Sequence, residues 1–187
     1  MKHPYFFGYG SLVNRRTHDY DPAHRATARG WRRAWRYTEG RQVAYLTAIA
    51  DPESEIEGLI APVPGDDWHA LDLREAAYDR LDASSHVAHE APDARSVAVY
   101  AIAPERLRLP DDDHPVLLSY IDVVVQGYLS EFGAAGAERF FATTTGWEVP
   151  VLNDRHAPRY PRSQTLSGLE RDFVDAALTR LGCRVFA

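Results

Sequence analysis

The first half of the chain is a run of strand-like segments that a single helical pattern interrupts. The segments rich in aromatic and β-branched residues are predicted to be strands, and before the first helix they are 5–9, 25–38, 42–50 and 55–63. A bend is expected at Gly30 and a turn at 51–54. Because strands do not alternate with helices, the sequence excludes a doubly wound parallel sheet. It predicts an α+β protein with a strongly curved or closed sheet.

The middle of the chain is predicted to form one helix and then two more strands. Asp66 or Asp67 is expected to cap a helix that continues to about residue 81. Residues 86–91 and 96–103 are predicted to form a strand pair around an intervening turn.

Segment 111–187 is predicted to be a helical extension of the strand-rich part. An acidic turn is expected to start a long helix over about 115–132, and a shorter helix is predicted over 135–144. A loop rich in proline and arginine is expected at 146–164. A capping box at 167–170 then predicts the start of the last helix.

Composition and charge exclude several classes of function. With 187 residues, 45% of them hydrophobic, the chain suits a single domain over 1–187 with a sizeable core. The net charge of −6 disfavours nucleic acid as a partner, and segment 29–36, rich in arginine and tryptophan, is interpreted as an exposed edge strand. No apolar run is long enough to span a membrane, and the N-terminus does not resemble a signal peptide. The single cysteine, Cys183, fits a reducing compartment, and a cytoplasmic location is expected.

The first candidate for chemistry is the turn Phe7-Gly8-Tyr9-Gly10-Ser11-Leu12 after the first strand. Its two glycines allow a ligand to approach the backbone and allow N–H groups to face an anion or oxyanion. The spacing of these glycines fits neither a dinucleotide-binding fingerprint nor a P-loop. On this segment alone, a purely structural turn remains the alternative.

The second candidate is Glu75, on the predicted helix. At about 100° per residue, Glu75 shares one stripe with Trp68, Leu71 and Tyr78, whereas Arg74 falls outside it. A carboxylate on a core-facing stripe is costly unless it is paired or used, and burial would raise its pKa toward neutrality. Two interpretations stay open: a general acid/base, and a buried carboxylate that pairs with an arginine. The histidines lack the spacing of a metal site.

These two segments resemble the γ-glutamylcyclotransferase-like family. The turn at 7–12 is similar to the family's ligand loop, and Leu71-Asp72-x-x-Glu75 followed by Tyr78 and Arg80 is similar to its second signature. Ala76 stands where the family often has glycine, so the helix is expected to continue unbroken. The resemblance covers about 5–103, and its shorter matches are Gly30-Trp31-x-Arg33 and Glu57-Gly58-Leu59-Ile60.

The resemblance implies a curved mixed sheet or small barrel with flanking helices, and a cyclising reaction. The α-amino group of a small γ-glutamyl compound attacks its own γ-carbonyl, which closes 5-oxoproline and releases an amine or amino acid. Glu75 is implied as the general acid/base, and no metal or organic cofactor is implied. The resemblance also implies a set of residues that bind the substrate, either through backbone N–H groups or by lining the pocket. They are Tyr9, Gly10, Ser11, Leu12 and Tyr78.

Arg155, in the loop at 146–164, is the best single candidate for gripping the substrate carboxylate with its planar guanidinium. The alternative is that it pairs with neighbouring acids and fixes the loop. The identity of the leaving group stays open, as does the oligomeric state. A non-catalytic module that binds a small carboxylated metabolite in the same cavity is the other functional class that the residues allow.

Overall fold

The computed structural model describes residues 2–187, and within them ten strands and three α-helices follow one another. They are β1 (His3–Gly8), β2 (His24–Arg36), β3 (Tyr45–Pro62), α1 (His69–Arg74), β4 (Asp79–Asp82), β5 (Val87–His89), β6 (Ala94–Ala101), β7 (Val116–Leu117), α2 (Leu118–Ala142), β8 (Thr144–Thr145), β9 (Pro150–Leu152), α3 (Gly168–Arg180) and β10 (Arg184–Phe186).

A seven-stranded mixed sheet carries the fold. Its strand order is β4-β6-β1-β3-β2-β5, with β8 also paired to β2. The central strand β1 is parallel to β6 and antiparallel to β3. A second, parallel sheet has the order β10-β9-β7. The predicted α+β class, with a curved mixed sheet and flanking helices, is confirmed.

The long hairpin of β2 and β3 bends where the sequence predicts a bend, but β3 does not end there. Arg29 pairs with Glu55 and Trp31 pairs with Ala50, so residues 51–54 form a bulge opposite Gly30. The predicted turn that would split β3 is therefore wrong. The interpretation of 29–36 as an exposed edge strand is also wrong, because Arg33 and Ala34 pair with β8 and residues 33–35 are buried.

The helix expected to continue to about residue 81 ends at Arg74, and that prediction is wrong. Residues 79–82 pair with β6 instead, because this edge of the sheet offers a complete antiparallel ladder. The two strands predicted over 86–91 and 96–103 are present as β5 and β6, but the prediction that they pair with each other is wrong. β5 pairs with β2, whereas β6 lies between β4 and β1.

The C-terminal part contains the predicted helices, but it is not purely helical. α2 is interrupted at Gly133, whose φ of +68° breaks the helix between the two predicted segments. The capping box is present at the start of α3, where Ser167 and Glu170 exchange hydrogen bonds. Three short strands, β7, β9 and β10, form a sheet that the sequence pattern did not indicate, and β9 lies in the predicted loop at 146–164.

Gly58 is predicted to be essential for seating the turn after β1 against β3. A Cβ atom at this position would lie 2.3 Å from the Gly8 carbonyl oxygen and 2.8 Å from the Phe7 ring. We expect Gly58→Ala to lower the free energy of unfolding by about 1–3 kcal/mol, because backbone and a buried ring must move. Denaturant unfolding checks this. Gly168→Ala is the control, since nothing lies within 4 Å of its added Cβ, and equal effects of the two changes would contradict the prediction.

Candidate active site

Glu75 lies directly after α1 and faces the turn that follows β1. Its backbone N–H donates to the Leu71 carbonyl oxygen at 2.9 Å, and its side chain is 16% exposed. One cavity, called the inner cavity here, is lined by Glu75 and by the turn. The predicted site residues that line it are Tyr9, Gly10, Ser11, Leu12, Glu75 and Tyr78. The fold thus brings together two segments that lie far apart in the sequence.

The turn that lines this cavity contains backbone donors without a partner. The Val13 N–H donates to the Gly10 carbonyl oxygen at 3.0 Å, which closes a single 3₁₀ turn. Within residues 2–187, no hydrogen bond engages the backbone N–H groups of Gly10 or Leu12. Both groups therefore remain free to donate to an anionic ligand.

Arg74 ties Glu75 to the turn. Its Nε atom lies 3.2 Å from Glu75 Oε1, and its side chain is only 8% exposed. The same guanidinium donates to the Ser11 hydroxyl at 3.2 Å and to the Thr17 carbonyl oxygen at 2.8 Å. The helical stripe places Arg74 away from the site, and this expectation is wrong because the helix ends at Arg74 itself.

Burial raises the pKa of Glu75 above its ordinary value of 4.5, while the charges of Arg74 and Arg162 act against this rise. The ion pair of the structural interpretation is therefore present, yet burial outweighs it. A carboxyl group with a raised pKa accepts and donates a proton closer to neutral pH. Ion pairing and acid/base chemistry are compatible in this one side chain.

Tyr9 and Tyr78 line the inner cavity, and their hydroxyls form hydrogen bonds with the backbone. The Tyr9 hydroxyl donates to the Tyr100 carbonyl oxygen at 2.6 Å and accepts from the Ala48 N–H at 3.0 Å. The Tyr78 hydroxyl donates to the Leu46 carbonyl oxygen at 2.9 Å. Burial raises the pKa of both hydroxyls, so both stay protonated.

Tyr120 also lines the inner cavity, and the sequence pattern did not single it out. It lies on α2 with its hydroxyl over the turn, so that a Cβ atom at Gly10 would be 2.7 Å from this hydroxyl. Burial raises the pKa of the Tyr120 hydroxyl, and a hydrogen bond from the Ser11 backbone acts in the opposite direction. In the sequence, Tyr120 stands among apolar helix residues and resembles an ordinary core residue.

A second, outer cavity of about 230 Å³ adjoins the first. The two cavities share four residues, which are Ser11, Glu75, Tyr78 and Tyr120. The polar and aromatic residues that line the outer cavity but not the inner one are Arg41, Tyr45, Arg74, Tyr160 and Arg162. Glu75 therefore lies between a small inner space and a larger outer one.

Arg155 does not line either cavity. Its guanidinium donates to both oxygens of Asp122, at 2.8 Å and 2.7 Å, and it also contacts the Asp175 carboxylate at 2.8 Å. The Asp122 side chain is only 7% exposed. The candidate carboxylate grip is thus not brought to Glu75, because acids on α2 and α3 already engage the guanidinium.

Within residues 2–187, no cluster of three or more His, Cys, Asp or Glu side chains has the arrangement of a metal site. No helix in that same range is long and apolar enough to cross a membrane.

The chain has the γ-glutamyl cyclotransferase-like fold. A solved structure named gamma-glutamyl cyclotransferase is 14% identical with a TM-score of 0.58, over 94% of this chain and 99% of that one. A Homo sapiens protein described as uncharacterized protein loc79017 is 15% identical with a TM-score of 0.60, over the same shares of the two chains, 94% and 99%. YkqA from Bacillus subtilis is 18% identical with a TM-score of 0.54, over 78% of this chain and 57% of that one.

No family model and no curated protein matches the chain. At identities of 14–18%, the likeness to these solved structures shows the fold alone.

Arg155 is predicted to act in stability and not in substrate binding. Arg155→Lys keeps the charge but loses the bidentate contact with buried Asp122, and we expect a loss of about 1–3 kcal/mol in the free energy of unfolding. Arg159→Lys, at an exposed position in the same loop, serves as the control in thermal melting. An unchanged melting temperature together with a raised KM would instead place Arg155 in substrate recognition.

Proposed function

We propose that this protein is a γ-glutamylcyclotransferase-type enzyme, which converts a γ-glutamyl compound into 5-oxoproline and a free amine or amino acid. One observation carries the proposal: a largely buried carboxyl group with a raised pKa, Glu75, lines the same cavity as the turn in which the N–H groups of Gly10 and Leu12 are free. The γ-glutamyl cyclotransferase-like fold supports it.

The reaction is an intramolecular aminolysis. The α-nitrogen forms a bond to the γ-carbonyl carbon, and the bond from that carbon to the leaving nitrogen breaks. The α-ammonium loses two protons in total, and the leaving nitrogen gains two. Because nucleophile and electrophile belong to one molecule, a folded pose supplies much of the rate advantage through proximity.

Glu75 is proposed to carry these protons. As a carboxylate it accepts a proton from the α-ammonium, and as a carboxylic acid it returns the proton to the leaving nitrogen. Because its pKa is raised, the free-energy difference between its protonated and deprotonated forms is smaller near neutral pH. Arg74 is proposed to hold the carboxylate in position through its contacts with Glu75, Ser11 and Thr17.

The turn is proposed to bind negative charge. The free N–H groups of Gly10 and Leu12 would donate to the substrate's α-carboxylate or to the oxyanion that develops on the γ-carbonyl oxygen. The rings of Tyr9 and Tyr78, fixed by hydrogen bonds from their hydroxyls to the backbone, would pack against the γ-glutamyl group.

The residues account for this chemistry without a cofactor, and none is proposed. The proposed partner is a small γ-glutamyl compound; neither nucleic acid nor a membrane is proposed. A cytoplasmic location and a role in glutathione metabolism, with the enzyme acting as a lyase or transferase, belong to the same proposal.

Glu75→Gln is predicted to lower kcat by about 10²–10⁴-fold, because the amide keeps the volume but cannot accept the proton. Measuring 5-oxoproline release from γ-glutamyl substrates tests this, with Glu53→Gln, an exposed position on the β3 bulge, as the control. Near wild-type kcat in Glu75→Gln would eliminate the mechanism. Stabilisation by a γ-glutamyl compound without any turnover in the wild type would indicate a binding module instead.

Glu75→Gln is also predicted to change how the melting temperature depends on pH. Since the folded state raises the pKa of Glu75 above 4.5, the wild type loses stability as the pH rises through the interval between 4.5 and the raised value. Glu75→Gln does not titrate, so its melting temperature relative to wild type should rise with pH across that interval. A strong drop in stability at neutral pH would favour the purely structural ion pair.

Gly10→Val is predicted to lower kcat/KM more than Ser11→Ala. The valine side chain would meet the Tyr120 hydroxyl and cover the turn, whereas Ser11→Ala removes one hydrogen bond from Arg74, which keeps its bonds to Thr17. Steady-state kinetics on both variants, each with its melting temperature, distinguishes lost binding from lost folding. If Ser11→Ala is the more damaging change in well-folded protein, a side-chain role of Ser11 must replace the backbone role.

A further inference from the structure

The outer cavity carries positive charge that the proposed proton transfer does not use. Arg41 and Arg162 line it, together with the rings of Tyr45 and Tyr160. Arg74 also lines it, but its guanidinium is engaged by Glu75, Ser11 and Thr17.

Neither Arg41 nor Arg162 forms an ion pair within residues 2–187, and their guanidinium groups make no hydrogen bond to that part of the chain. This is notable in a chain of net charge −6, where Asp and Glu outnumber Lys and Arg. Two unpaired arginines in the lining of one cavity create a positive potential that attracts an anion.

Arg162 is also close enough to Glu75 for its charge to lower the pKa of that carboxyl. The positive charge therefore lies next to the place where the leaving nitrogen would receive its proton. In a γ-glutamyl amino acid, a single carbon separates this nitrogen from the carboxylate of the leaving group. Glu75 and both arginines line the outer cavity, so a carboxylate that extends from this nitrogen into that cavity would meet their positive charge.

We propose that Arg41 and Arg162 form an anion subsite, which selects substrates whose leaving group carries a carboxylate. The inference rests on the proposed cyclotransferase function and specifies its substrate class. The γ-glutamyl end binds at the turn, the leaving nitrogen lies at Glu75, and the leaving carboxylate lies between the guanidinium groups. Tyr45 and Tyr160 provide apolar surface for the rest of the leaving group. A γ-glutamylamine has no group for this subsite and is the poorer substrate.

A matched pair of substrates tests the subsite. γ-Glutamylalanine and γ-glutamylethylamine differ only by the carboxylate of the leaving group, and 5-oxoproline is measured for both. We expect the wild type to prefer the first by about tenfold or more in kcat/KM, as a charge-assisted contact allows. Arg162→Gln and Arg41→Gln should each reduce this preference severalfold. Arg159→Gln, on the exposed part of the same loop as Arg162, should leave it unchanged.

The decisive readout is the ratio of the kcat/KM values for the two substrates. Removal of Arg162 also changes the pKa of Glu75, but that effect acts on both substrates and cancels in their ratio. If Arg162→Gln is poorly folded, Arg162→Lys replaces it and should retain part of the preference, since it keeps the charge but loses the planar fork.

Three outcomes would overturn the inference. Equal kcat/KM values for the two substrates in the wild type would remove the anion subsite and leave the cyclotransferase function standing. A wild-type preference that both Arg→Gln variants retain would place the selecting group elsewhere. If neither substrate yields 5-oxoproline, the inference is overturned together with the proposed function.

Discussion

The arrangement of sheet, helix and turn depends on the hydrogen bonds and aromatic contacts of the Arg33 guanidinium. It is buried, and within the described chain no carboxylate pairs with it. It donates instead to the Glu57 carbonyl oxygen, the Tyr128 hydroxyl and the Thr143 hydroxyl, at 2.6–2.8 Å. The faces of Tyr128 and Phe140 lie 5.0 Å and 5.2 Å from its carbon Cζ. A buried cation is costly, and these carbonyl, hydroxyl and aromatic groups offset that cost only when all are in place.

Tyr128 connects the Arg33 guanidinium to the candidate site. The Tyr128 hydroxyl lies 2.6 Å from the Glu57 carbonyl oxygen and 3.0 Å from the Tyr9 carbonyl oxygen. Arg33 on β2 thereby links β3, α2 and the turn that follows β1. Gly58 lies next to Glu57 and permits the close approach of the turn to β3. The free N–H groups of the turn are held in position by the core and not by the surface.

The local parts of the site could be predicted from the sequence. Two glycines after an aromatic strand indicate a backbone-binding turn, and a carboxylate among apolar residues indicates a burial-shifted acid. Two of the fold neighbours extend over 94% of the chain, whereas the motifs cover only about 5–103. Segment 111–187 supplies Tyr120 and Arg162, and neither lies in a motif. Arg74 could not be recognised, because its position depends on where the helix ends.

What the sequence by itself determined is therefore short-range: strand and helix segments, the break at Gly133, the capping box at Ser167, and the chemical types at the turn and at Glu75. These follow from local propensities, capping and conformational freedom. Only the tertiary structure decided that β3 continues through its bulge, that α1 stops at Arg74, and that acids engage Arg155. Each of these depends on partners distant in the chain, such as the β6 edge that residues 79–82 join in place of extending a helix. Long-range pairing overrides local preference there because it satisfies backbone groups that would otherwise be left without partners at the sheet edge.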